Sequence, residues 1–164
     1  MIQHPEKPHC WEIETMPVDP KCIFCRIIGG ELPSIKVYES EDVLAFMDIN
    51  PVEKGHVLVI PKPHHATLME TPDALLGRVI AAVRLVAAAL MECGADGVNV
   101  LQSNHAAAGQ EVWHLHFHII PRSEAAATRS WVSGNAAYAS DDERAQYAAR
   151  IRQALAALAG DDDR

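Results

Sequence analysis

The sequence predicts an α+β domain, an antiparallel β-sheet with one long packed helix and a C-terminal helix. Three features predict it. Short apolar stretches between turn residues occupy positions 36–60, a long amphipathic stretch runs over 71–93, and a segment that strictly alternates histidine with apolar residues covers 114–119. At 164 residues the chain is long enough to bury a core without disulfides. Its 49% hydrophobic and 22% charged content is that of a globular protein.

Residues 1–20 are rich in Pro, His and Glu and read as an arm outside the core. Cys22 to Ile28 forms a short helical turn that Gly29 and Gly30 stop. Strands are expected at Lys36–Glu39, Val43–Met47 and His56–Ile60, joined as antiparallel hairpins, with Pro61 and Pro63 ending the third. The long helix runs from Thr71 to about Cys93. Thr71 is its expected N-cap, Pro72 its first residue and Gly94 its C-terminal stop. Leu76, Val79, Ile80, Val83, Ala87 and Leu90 mark its buried face. Further strands are expected near Gly97–Gln102 and Trp113–Pro121, joined by a loop at 103–110. A last helix at about 141–159 opens on three acids and carries a stripe of Ala148, Ile151, Leu155 and Leu158.

A net charge of −8 argues against broad binding of a nucleic acid polymer, but not against a small phosphate ligand. No apolar run is expected to reach the roughly 18–20 residues that span a bilayer, so no membrane partner is expected. The opening residues lack a signal-peptide core, which places the chain in the cytoplasm as an expectation. Four cysteines then suggest metal ligands or buried thiols.

The segment His114-Leu115-His116-Phe117-His118 is the most informative one. In a strand, alternate side chains face the same way, so the three histidines share one face while Leu115, Phe117 and Ile119 enter the core. A single histidine there would be a hydrogen-bonded structural residue; three in alternation call for chemistry. The row could hold a catalytic metal. Alternatively, one imidazole could attack a phosphorus centre while its neighbours hold the phosphate and the ring.

HLHFHII resembles the His-φ-His-φ-His-φ-φ signature of the HIT (histidine triad) family, φ being apolar. CIFCRIIGGELPS, VLAFMDINPVEKGHVLVIPKPH and AGQEVWHLHFHIIPR are likewise similar, in order and spacing, to the Hint and bacterial Hit branch. The resemblance covers about residues 21–122, leaving 123–164 as a C-terminal extension. It implies a nucleotide hydrolase acting on adenosine-type phosphoramidates or phosphoanhydrides through a covalent nucleotidyl-histidine. Other readings are a dinucleoside polyphosphate hydrolase and a nucleotide-binding regulatory module with little turnover.

By position, the resemblance makes His116 the nucleophile, His118 a donor to a phosphate oxygen and His56 a further histidine of the site. Backbone amides near Gly109 and Gln110 would assist. Ser103 and Asn104 occupy the place of an amide side chain that contacts the phosphate or leaving group in relatives. Asp48 would bind the ribose hydroxyls, and Phe24, Leu32, Phe46 and Ile49 the base, although these four could equally be core. Glu111 stands where the Hint branch carries Ser or Thr, and is expected to turn away from the phosphate rather than act as an acid. The resemblance also implies a homodimer, with helix 71–93 as a candidate face.

Cys22-x-x-Cys25 is not a thioredoxin-type redox pair, because the βαβ context is absent. Two buried thiols or a zinc site remain. The resemblance supplies the other two ligands, His64 and His114, with His65 as the rival of His64. A closed Cys2His2 set is a structural zinc site, not a catalytic one. Cys10 and Cys93 are expected to be ordinary thiols, and His4, His9 and His105 solvated residues.

Overall fold

The computed structural model describes residues 18–124 and 136–161. The expected arm, with His4, His9 and Cys10, lies outside these residues up to position 17. Five strands form one antiparallel sheet in the order β1-β2-β3-β5-β4. They are β1 (Lys36–Glu39), β2 (Val43–Met47), β3 (Val57–Pro61), β4 (Gly97–Leu101) and β5 (Phe117–Arg122). Three helices accompany them: α1 (Ile23–Ile28), α2 (Asp73–Glu92) and α3 (Asp141–Asp161).

Strand parity sorts the sheet into two layers. Val43, Ala45, Met47, Val57, Val59, Phe117 and Ile119 face α2 and α3 in the larger core. Leu44, Phe46, Leu58 and Ile60 face α1 and join Cys22, Phe24 and Cys25 in a smaller one. Side chains alternate along each strand, so Asp48 and His56, in phase with the second set, belong to the α1 side. His118 stands opposite Leu58 and so shares that side.

Several boundaries differ from the sequence reading, each for a local reason. The fifth strand begins at Phe117, not Trp113, because the backbone before it bonds elsewhere. The Leu115 N–H donates to the His65 carbonyl at 2.6 Å, and the His114 N–H to Val112. The third strand includes Pro61, which ends the ladder opposite Val43.

Thr71 does not cap α2. Its hydroxyl donates to the Thr67 carbonyl at 2.9 Å, and Pro72 occupies the N-cap position without a side-chain bond. The other end stops as expected. Gly94 takes a φ of +94°, and the amides of Gly94 and Ala95 donate to Met91 and Leu90, closing a Schellman motif.

The buried stripe of α2 is Leu75, Val79, Ala82, Val83, Val86, Ala89 and Leu90. Ile80 is 45% exposed instead of buried, and Leu76 and Ala87 are half-buried. The expectation of no membrane-length run also needs correction. By length and mean hydropathy, 2.0, α2 is long and apolar enough to cross a bilayer. Arg78 and Arg84 interrupt it, Arg78 pairs with Asp42 at 2.6 Å, and seven of its residues are buried in this fold.

Helix α3 buries Ala148, Ile151 and Leu155 against the same core, with Leu158 partly buried beside them. Its entry is capped by Ser140, whose Oγ accepts the Glu143 N–H at 3.1 Å.

Candidate active site

The three histidines lie on the α1 side, as the alternation requires, although His114 and His116 precede the strand ladder. Leu115, Phe117 and Ile119 fill the opposite core. Phe24 meets His114 and His116 edge-on, with ring centroids at 5.9 and 5.4 Å. The His116 and His118 rings are 5.0 Å apart.

Hydrogen bonds assign the tautomers. The His116 Nδ1 lies 2.7 Å from the His114 carbonyl. A carbonyl only accepts, so Nδ1 carries the proton and Nε2 keeps its lone pair. The Val52 N–H donates to His56 Nδ1 at 3.2 Å, so His56 is protonated on Nε2. That N–H points at His118 Nδ1, 3.0 Å away. His118 therefore accepts on Nδ1 and presents an Nε2–H. The pair is thus a bare imidazole nitrogen on His116 beside a donor on His118.

Burial keeps these rings neutral. Desolvation lowers His116 and His56 below the usual imidazole range and pushes His118 down to about 4. Neighbouring His56 and His116 add to the effect at His118, while Asp48 opposes it. A neutral imidazole is the nucleophilic form.

Asp48 closes the other end. One carboxylate oxygen accepts the Asn50 N–H at 2.8 Å in an Asx turn. The other stands 3.5 Å from His56 Nδ1, and the side chain is 15% exposed. Phe46 is buried against Phe24, ring centroids 5.6 Å apart, so these two line the site as part of the smaller core. Leu32 is half-buried, and Ile49 is 69% exposed.

The loop before the histidines departs from expectation. The amides of Gly109 and Gln110 are directed into their own turn, donating to Ala106 and His105. The Gln110 side chain, 4% exposed, ties the loop to the Ala66 and Val112 carbonyls and accepts the His105 N–H. Asn104 accepts the Leu68 N–H and bonds Gln102, so its amide serves the loop; Ser103 is half-buried. His105 is exposed but not a bystander: it has a φ of +69° and packs on Trp113. Glu111 is exposed, without a bonding partner among the described residues.

A second group of donors lies beside the histidines. Cys22, Cys25, His64 and His114 bring their ligand atoms within 4.8 Å of one another. Cys22 Sγ is 3.5 Å and Cys25 Sγ 3.7 Å from His114 Nδ1, and Cys25 Sγ is 3.3 Å from His64 Nδ1. Sulfur about 2.3 Å and nitrogen about 2.05 Å from one tetrahedral ion would lie about 3.6 Å apart. The donors therefore fit zinc. The outer contact fits as well: His114 Nε2–H donates to the Pro61 carbonyl at 2.8 Å, which leaves Nδ1 free to ligate. Burial pushes the Cys25 thiol up to about 11, so a cation is what would hold it as thiolate. His65 is outside the cluster and contributes only its carbonyl to Leu115. Cys93 is half-buried and outside it too.

Sequence reasoning missed the Val52 amide and the Pro61 and His65 carbonyls, because backbone groups carry no residue signature.

A five-stranded antiparallel sheet presenting paired neutral imidazoles beside a closed Cys2His2 set defines a histidine-triad class of protein. The family model of the HIT domain matches residues 29–125, and the chain belongs to that family. It is 53% identical over 103 residues to a HIT-like protein of Methanocaldococcus jannaschii, covering 63% of this chain and 80% of that one. It is 44% identical over 107 residues to adenosine 5′-monophosphoramidase HNT1 of Saccharomyces cerevisiae, covering 65% and 66%. With adenylylsulfatase HINT3 of Arabidopsis thaliana it shares 43% over 114 residues, 69% of this chain and 58% of that one. Among solved structures, a Zn-bound histidine triad family protein from Mycobacterium smegmatis is similar at a TM-score of 0.77 and 34% identity. It covers 85% of this chain and 96% of its own.

The ligand geometry predicts metal contents that separate the adjacent histidines. His64→Ala and Cys22→Ser should lose most bound zinc and melt on the order of 10 °C lower. His65→Ala should keep about one zinc per chain by elemental analysis. Equal zinc in all three variants would dismiss the Cys2His2 set.

Proposed function

We propose that this chain hydrolyses adenosine-type nucleoside phosphoramidates or phosphoanhydrides through a nucleotidyl-His116 intermediate. The observation that carries the reading is the fixed pairing of a bare His116 Nε2 with a His118 N–H. The His116 lone pair attacks the α-phosphorus, and the bond to the leaving amine or oxygen breaks as that group takes up a proton from solvent water. Water then attacks the phosphorus and gives up a proton to solvent, the P–N bond breaks to return its electron pair to His116 Nε2, and a nucleoside monophosphate leaves. His118 donates to a phosphate oxygen as charge grows there. His56 holds the His118 tautomer. Asp48 accepts from the ribose hydroxyls, and Phe24 and Phe46 flank the base.

Zinc on Cys22, Cys25, His64 and His114 would act structurally. It would anchor His114, whose carbonyl orients His116, and four protein ligands would leave no coordination position for substrate. The names of two relatives, an adenosine 5′-monophosphoramidase and an adenylylsulfatase, support a nucleotide substrate. The amides of Gly109 and Gln110 are spent in their turn, so His118 carries more of the phosphate binding in this reading.

His116→Ala should lower hydrolysis of an adenosine phosphoramidate at least a thousandfold. Nucleotide affinity should stay within about tenfold, roughly 1.4 kcal/mol. Rapid quench of the wild type should trap nucleotide on His116. Substantial turnover by the variant refutes the mechanism, and binding without any wild-type turnover would make the chain a nucleotide-binding module instead.

Glu111 is exposed and unpartnered among the described residues, which supports its turning away from the phosphate. Glu111→Ser and Glu111→Gln should therefore keep turnover within about threefold. Losses of a hundredfold in both would make it a general acid.

On the outer face of α2 and on the edge strand β4, Ile80, Met91 and Val100 are 45%, 46% and 46% exposed. These residues support pairing of two copies through that side. Sedimentation should give twice the chain mass for the wild type and the chain mass for Ile80→Glu; a wild-type monomer at micromolar concentration would end the reading.

A further inference from the structure

The stretch leading into α3 lies beyond the residues matched by the HIT domain, yet it is bonded to the turn between Asp48 and His56. The Ala136 N–H donates to the Pro51 carbonyl at 3.1 Å. The Gly55 N–H donates to the Tyr138 hydroxyl oxygen at 2.9 Å. Lys54 pairs with Glu143 at 2.5 Å, and the other Glu143 oxygen accepts the Ala139 N–H at 2.6 Å. Three bonds thus cross between two short segments, and the capping acid of α3 serves both.

The turn they hold is the one that orients the site. His56 follows Gly55 directly. Its backbone N–H donates to the Glu53 carbonyl at 3.0 Å, and its Nδ1 accepts the Val52 N–H. Gly55 is buried with a φ of +98°, and a Cβ there would come within 3.2 Å of Pro121 Cγ. Its amide is therefore packed against protein, and Tyr138 is its acceptor. The Tyr138 ring is held in turn, half-buried on the core with Tyr147 edge-on at 5.8 Å.

We infer that Tyr138 is a positioning residue: its hydroxyl oxygen anchors the Gly55 amide and so keeps the Val52 N–H on His56, which sets the tautomers of His56 and His118. The inference rests on the reading that His118 donates to the substrate phosphate. Tyr138 does not touch the reacting atoms; it acts through the turn. Without the hydroxyl, a buried N–H has no acceptor, and the turn relieves this by shifting. If Val52 moves off Nδ1, His56 no longer has to place its proton on Nε2. Asp48, 3.5 Å from Nδ1, then favours a proton on that nitrogen, which reverses the His56–His118 bond and removes the donor from His118. A displacement of about 1 Å in such an array can cost about a hundredfold in rate.

The test compares Tyr138→Phe with Tyr147→Phe in the full zinc-loaded chain. Tyr147 loses a hydroxyl that bonds nothing among the described residues, so it controls for loss of a phenol from the same ring pair. Tyr138→Phe should lower kcat for an adenosine phosphoramidate 10- to 100-fold with KM within threefold, while Tyr147→Phe matches the wild type. Long-range 1H–15N spectra of the histidine rings should show both His56 and His118 protonated on Nε2 in the wild type and in Tyr147→Phe. In Tyr138→Phe they should show His56 mixed or moved to Nδ1–H. A wild-type kcat in Tyr138→Phe overturns the inference, and so does a fall in kcat with unchanged ring tautomers. If the wild type itself turns nothing over, the spectra decide: an altered His56 sustains the positioning role while the hydrolase reading fails.

Discussion

Burial of Leu115, Phe117 and Ile119 beneath α2 and α3 is the constraint on which the rest of the site depends. An extended chain with every second side chain locked in a core must send the intervening ones to the other side. His114, His116 and His118 have no other direction available. The same parity operates in β2 and β3, where burial of Met47 and Val57 on the helix side leaves Asp48 and His56 on the α1 side. The hairpin of β2 and β3 and the distant segment running into β5 thus deliver polar groups to one place as a consequence of packing apolar ones elsewhere.

Each imidazole then depends on a backbone group for its chemistry. The Pro61 carbonyl orients His114 toward the cysteines, the His114 carbonyl orients His116, and the Val52 amide orients His56 and, through it, His118. Asp48 stands 3.5 Å from His56 Nδ1, but desolvation outweighs its charge and keeps the rings neutral. The Cys2His2 group and His116 are therefore mechanically joined through the two-residue step from His114 to His116. A zinc held there would stiffen the site without entering the reaction.

The 103–112 loop shows how a resemblance can assign a role that the local bonding does not carry. Gly109 and Gln110 are where a phosphate-binding amide would be expected, but a tight turn at Ala106–Ala108 consumes both amides. Gln110 and Asn104 brace the loop against Ala66 and Leu68 instead. The stretch before α3 shows the converse. Tyr138 falls outside the matched motifs, yet its bond to Gly55 reaches the same site.

The sequence by itself determined the sheet with its long helix, the side on which the histidines lie and the pairing of Cys22 with Cys25. Each is encoded by local period or spacing: alternation of two, a helical repeat, two residues between thiols. It also led, by resemblance, to His64 and His114. Only the tertiary structure decided between His64 and His65, because adjacent residues in a loop differ by direction and not by spacing. It alone showed that Thr71 turns back to Thr67, that Ile80 faces outward and that the fifth strand starts at Phe117. Those outcomes depend on which distant carbonyl or core surface each group meets. The tautomers belong to the same class, since they follow from main-chain groups at Pro61, His114 and Val52 whose positions the fold sets and whose chemistry is common to every residue.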